Sequence, residues 1–154
     1  MRLVKSAITL TLAVLTLAAG LTAQTASSDK DVLLDPNTAT EAHLTTIPHI
    51  TPAIAKDIVA KRPFETISDL DALLKQHQLT PEQIKEVYGK MFVRIDLNTA
   101  NDEQILLIPG MGKRMLHEFK EYRPYKSMAQ FRREIGKYVS KEEVARFERY
   151  VKIG

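Results

Sequence analysis

The chain contains no cysteine and no tryptophan, and only five tyrosines, five phenylalanines and six glycines among 154 residues. Without cysteine there is no disulfide framework, no thiolate metal site and no cysteine nucleophile, so an apolar core alone must hold the fold. Few aromatics leave no platform on which single-stranded bases would stack. Nucleophile motifs are missing as well. Glu118, Glu121, Glu142 and Glu143 are spaced as surface charges along helix faces, and a non-enzymatic protein is expected. His43, His49, His77 and His117 share no ligand spacing, so no metal and no cofactor is expected. Long apolar runs are also scarce. The one candidate, Ala7 to Ala19, is broken by Thr9, Thr11 and Thr16 and falls short of the roughly 20 residues of a membrane span.

That run does have an address. Arg2 and Lys5 precede it, and Gly20, Thr22, Ala23 and Gln24 follow, which is the layout of a secretory signal peptide over residues 1–23. Cleavage is expected near Ala23 or Ala26, with retention as an N-terminal anchor as the alternative. The absence of a following cysteine excludes lipoprotein attachment. The expected location is periplasmic or secreted. Residues 24–31 read as a polar linker. Loss of Arg2 and Lys5 takes the formal charge from +3 to +1, so the whole-chain pI of 9.1 overstates the basicity of the mature chain.

After the linker the sequence reads twice. Leu34-Asp35-Pro36-Asn37-Thr38-Ala39 returns as Ile95-Asp96-Leu97-Asn98-Thr99-Ala100. Ile47-Pro48-His49-Ile50-Thr51 returns as Ile108-Pro109-Gly110-Met111-Gly112, and Lys61-Arg62-Pro63-Phe64 as Tyr122-Arg123-Pro124-Tyr125. The offset is 61 each time, without a gap, which predicts an internal duplication with units at 32–93 and 94–154.

Each unit predicts four short helices. Thr38 with Glu41, and Thr99 with Asp102, are the expected first N-caps. Apolar faces are expected from Ala42, Leu44 and Ile47 against Ile105, Leu106 and Ile108, then from Ile54, Ile58 and Val59 against Met115, Leu116 and Phe119. Arg-Pro ends each second helix, because the residue before proline avoids the α region. Phe64 and Tyr125 then fold back as core plugs. Third helices are expected from Ser68 and Ser127, and fourth helices from about Pro81 and Lys141. No stretch alternates long enough for a strand, although residues 91–95 are candidates for extended chain. The fold class expected is all-α, with two helix–turn–helix hairpins per unit.

The turn Ile108-Pro109-Gly110-Met111-Gly112-Lys113-Arg114 carries the chemistry. Its two glycines permit positive φ and close backbone approach. Gly112, placed at an N-cap, leaves the first N–H groups of the next helix open at the positive end of its dipole, and Lys113 and Arg114 add cations. The other turns are closed. Thr51 and Pro52 follow His49, while Thr80 with Gln83 and Ser140 with Glu143 spell capping boxes. Charge divides similarly: residues 34–94 hold seven Lys/Arg against eight Asp/Glu, and residues 95–154 hold twelve against nine, a net of −1 against +3. Arg132 and Arg133 are read as an exposed face.

These motifs, taken with Arg123-Pro124-Tyr125-Lys126-Ser127, resemble the helix-hairpin-helix DNA-binding module in the version found in exported competence proteins of the ComEA type. The resemblance covers each unit end to end and implies two tandem modules. It further implies phosphate contacts by Gly110, Met111, Gly112, Lys113 and Arg114, with double-stranded DNA as partner, no sequence readout, and DNA capture or uptake as the setting. The alternative is an envelope adaptor or structural subunit that kept the scaffold, lost DNA binding and docks a protein partner.

Overall fold

The computed structural model describes residues 32–154, so the expected signal peptide and linker lie outside the described residues. Eight helices follow one another there: α1 (Glu41–Leu44), α2 (Pro52–Ala60), α3 (Ile67–Gln76), α4 (Pro81–Tyr88), α5 (Asp102–Leu106), α6 (Lys113–Glu121), α7 (Met128–Ile135) and α8 (Lys141–Glu148). None is long and apolar enough to cross a membrane. The fold is all-α apart from one small feature. Strands β1 (Ile95–Asp96) and β2 (Val151–Lys152) pair in parallel, Ile95 opposite Val151, and Leu34 bridges Met91 in the same sense. Ladders of one or two residues are too short to show alternation in sequence, which is why residues 151–152 gave no strand signal.

Most helix starts follow local side-chain chemistry, and three of the eight lie two residues from where the sequence suggests. The first caps are Thr40 and Asn101 rather than Thr38 and Thr99. Thr38 is used earlier, its N–H donating to the Asp35 carbonyl at 3.1 Å within a turn that precedes the helix. Likewise α3 opens at Thr66, not Ser68, because the Thr66 N–H is taken by the Asp69 carboxylate at 2.8 Å. Ser127 caps α7 as expected.

The same backbone clamp occurs in both halves of the chain. Asn37 accepts from the Phe64 N–H at 2.7 Å and donates to the Phe64 carbonyl at 3.0 Å; Asn98 does both for Tyr125 at 2.7 and 3.0 Å. Arg62 donates to the Ala39 carbonyl and Arg123 to that of Ala100. These bonds fasten the segment after α2 or α6 onto the start of its half and bury Phe64 and Tyr125, as expected of core plugs. One difference is visible: Arg62 Nε donates to the Pro36 carbonyl at 2.6 Å, whereas the buried Nε of Arg123 has no partner. The offset of 61 also fails beyond α7. Thr80 and Ser140 occupy the same cap 60 residues apart, so one residue is lost between the starts of α7 and α8.

Buried side chains of both halves form one cluster. The first half is mainly aliphatic, with Leu44, Ile58, Ile67, Leu70 and Leu74 inaccessible to solvent. The second is aromatic: Phe119 meets Phe131 and Phe147 edge-on, each at 5.3 Å. Phe92 joins the halves, edge-on to Tyr88 at 5.4 Å and to Tyr150 at 5.0 Å, contacts worth about 0.5–1.5 kcal/mol each beyond area burial. Beneath it the Tyr88 hydroxyl donates to Asp71 at 2.8 Å, and burial, with that carboxylate, pushes the phenol far up. Ala42, Val59 and Leu106 are exposed, contrary to expectation, while Met115 and Leu116 are half-buried. Helices this short turn only one narrow stripe inward, and Ile58 and Ile105 already fill it next to Val59 and Leu106.

Candidate nucleic-acid interface

The α5–α6 turn is built from its sequence in three steps. Leu107 caps α5, and the Met111 N–H donates to the Ile108 carbonyl at 2.9 Å, closing the turn. That closure requires Gly110 at φ 79°, a region that costs an L-residue about 1–2 kcal/mol. Gly112 then takes an extended φ of −109° as N-cap of α6, with its carbonyl accepting from Leu116 at 2.9 Å. Nothing lies within 4 Å of where a Gly112 Cβ would be. The space over the helix start is open.

Consequently α6 begins without a side-chain cap. Among the described residues, no acceptor meets the N–H groups of Lys113, Arg114 and Met115. Seven of the eight described helices open on Thr, Ser or Asn, and α6 alone opens on glycine. Lys113 and Arg114 are exposed and have no carboxylate partner among the described residues. Arg114 instead leans over the Tyr138 ring at 5.9 Å. Tyr138 in turn shares a 2.7 Å hydroxyl bond with Tyr122, the leading reason its phenol is pushed up. The five residues singled out from sequence therefore come together: a turn with positive φ, open helix donors and two unpaired cations.

The equivalent turn in the first half has the same backbone and a different surface. His49 holds φ 68°, and the Ile50 N–H donates to the Ile47 carbonyl at 3.2 Å. Here Thr51 caps α2 by accepting from Ile54 at 3.3 Å, Pro52 has no N–H to offer, and His49 Nε2 lies 2.8 Å from Glu86 Oε2. The α3–α4 turn is a complete capping box, Thr80 and Gln83 each bonding the other's N–H.

The α7–α8 turn departs from expectation. The Ser140 hydroxyl accepts from the Glu143 N–H at 3.3 Å, but the Glu143 carboxylate does not reciprocate. Both its oxygens bind Arg146, at 2.8 and 2.5 Å, a pairing that holds the Glu143 carboxyl below the usual range. Glu142 is held down too, by its own backbone N–H and then by Ser140, which keeps an anion at that helix start. The basic stretch of the second half is also partly spent. Arg132 pairs with Glu148, Lys120 with Asp102, and Arg133 and Lys137 both with Glu134.

Sequence reading missed Arg146. Its Nη1 donates to the Pro109 carbonyl at 2.5 Å, placing the guanidinium beneath the glycine turn. The spacing of Glu143 and Arg146 signals a helical ion pair, but the reach from α8 to Pro109 spans 37 residues and left no local trace.

Among the described residues no group of acidic and histidine side chains could hold a metal ion. Compared with known families, residues 29–92 match the helix-hairpin-helix motif, which is in general a nucleic-acid-binding motif. The matched stretch is thus the half whose first turn is closed by Thr51, Pro52 and the His49–Glu86 pair. No curated protein and no solved structure gives a significant match to the chain.

Proposed function

We propose that the chain is an exported, non-enzymatic protein with two tandem helix-hairpin-helix modules of the ComEA type. It binds double-stranded DNA without sequence preference, in the capture or uptake of DNA outside the cytoplasm. The observation that carries this reading is the start of α6, the one glycine-opened helix among those described, with its free N–H donors flanked by unpaired Lys113 and Arg114. Donors of this kind fit phosphate oxygens and carry no base information. The helix-hairpin-helix match at residues 29–92 supports a nucleic-acid-binding scaffold. Export rests on the N-terminal sequence, Arg2 and Lys5 before the apolar run.

A second reading is favoured by the matched half itself. Its turn is capped, and His49 bonds Glu86, so that half serves as scaffold, and an envelope protein partner is what remains for the chain if DNA does not bind.

The test is anisotropy of a short labelled duplex with the signal-less protein, at low and at physiological salt. Affinity is expected to fall with a log–log slope of about −0.9 per phosphate neutralised, and Gly112→Asp is expected to abolish binding by placing an anion on the open donors. Absence of binding at low salt would sink the DNA reading. Binding that persists in Gly112→Asp would move the contact to another face, Arg132 and Arg133 first.

A further inference from the structure

Positions 86 and 146 hold the same place, on the fourth helix of each half and behind its glycine or histidine turn, 60 residues apart like the caps Thr80 and Ser140. Their side chains have opposite charge. Glu86 bonds the side chain of His49, whereas Arg146 reaches the Pro109 carbonyl itself. Glycine at position 110 leaves room for that reach: a Cβ there would lie 3.2 Å from Arg146 Nη2 and crowd the guanidinium. The guanidinium is in turn fixed from the other side by the two-pronged Glu143 carboxylate and rests on the Phe147 ring at 4.5 Å. Ser140, Glu143, Arg146 and Pro109 therefore form one chain of bonds from the start of α8 to the turn that opens α6.

We infer that Glu143 and Arg146 are positioning residues for the phosphate-binding turn. Arg146 pins the Pro109 carbonyl so that the α6 donors face outward in fixed register, and Glu143 fixes Arg146. The inference rests on the hairpin reading above and adds to it which residues make one of two equivalent turns competent. A charged donor on a carbonyl is among the stronger polar contacts, and a fork to a carboxylate fixes the donor's angle as well as its distance. The sign of Glu143's effect separates this role from simple electrostatics. As a bare anion near the site it would repel DNA; as the anchor of Arg146 it aids binding.

The experiment compares wild type, Glu143→Gln, Arg146→Lys, Arg146→Met and Gly112→Asp for duplex affinity across salt, with helix content checked by circular dichroism. Glu143→Gln removes a negative charge and is nevertheless expected to weaken binding. Arg146→Lys keeps the charge but loses the fork and is expected to weaken it as well; Arg146→Met is expected to weaken it by about tenfold or more. Tighter binding by Glu143→Gln, or wild-type affinity in Arg146→Lys, overturns the strut even if Arg146→Met does not fold. Binding that Gly112→Asp abolishes, yet both conservative variants leave at wild-type strength, overturns the strut alone. Binding that Gly112→Asp leaves intact removes the hairpin reading and this inference together.

Discussion

His49 and Gly110 occupy the same position in two turns 61 residues apart, at φ 68° and 79°, yet only one of them is glycine. The backbone demand is shared and the side-chain solution is not. His49 accepts the left-handed conformation and spends its ring on Glu86 at 2.8 Å, while Gly110 leaves room for Arg146 to reach Pro109. Gly110→Ala is therefore expected to destabilise the protein by about 1–2 kcal/mol from the positive φ, with a further loss from crowding Arg146. Urea unfolding of the two proteins checks it, and an unchanged midpoint would contradict the account.

Gly112 stands two residues on and answers to different physics. Its φ suits any residue and its Cβ position is open, so Gly112→Asp is expected to cap α6 and favour its dipole, raising stability by roughly 0.5–1 kcal/mol. The same substitution is expected to abolish DNA binding. Stability and binding should move in opposite directions in one variant, which separates a lost site from a lost fold.

The cations should sort by pairing. Lys113→Gln and Arg114→Gln are each expected to reduce the salt slope of DNA binding by about one phosphate contact. Arg132→Gln should leave the slope alone, because Glu148 already holds that guanidinium at 2.7 Å. A slope that changes equally in all three would mean a diffuse basic face in place of a turn.

Much of this was legible in the sequence because its signals are local. Helix count, the Arg-Pro stops, the inward Phe64 and Tyr125 and the open N-cap at Gly112 all follow from residues within one turn of each other. Caps slipped by two residues where a competing turn consumed Thr38, a contest that pattern alone does not weigh. Leu106 and Val59 were misplaced because a five- or nine-residue helix has too few turns to define its buried face. What the sequence hid was long-range. Arg146 under Pro109, Phe92 between Tyr88 and Tyr150, and the pairing of Arg133 and Lys137 with Glu134 depend on how the halves and hairpins pack.

Phe92 makes that packing testable. Its ring is buried and contacts aromatic rings from both halves, so the shared cluster is expected to unfold as one unit. A single transition by circular dichroism and by tyrosine fluorescence is the expected outcome, with Phe92→Ala lowering stability by about 3–5 kcal/mol. Two separate transitions in the unmutated protein would mean that the halves are held by their own cores.

Acid should loosen the Arg146 strut in a predictable direction. The Glu143 carboxyl is held below its ordinary value by its bonds to Arg146, and that of Glu134 by Lys137 and then Arg133. A carboxyl whose folded value is depressed adds stability above its unfolded value and loses it as pH falls through the folded one. Stability should therefore be level near neutrality and decline as pH drops below the ordinary carboxylate range. Glu143→Gln cannot take up that proton, so its decline is expected to be shallower than wild type, starting from a lower plateau. Both pairs are partly open to water, so the difference should shrink with added salt. Urea midpoints at neutral and acid pH, at two salt concentrations, measure it. Parallel curves for the two proteins would show that Glu143 titrates alike folded and unfolded, and that Arg146 is not held by its charge.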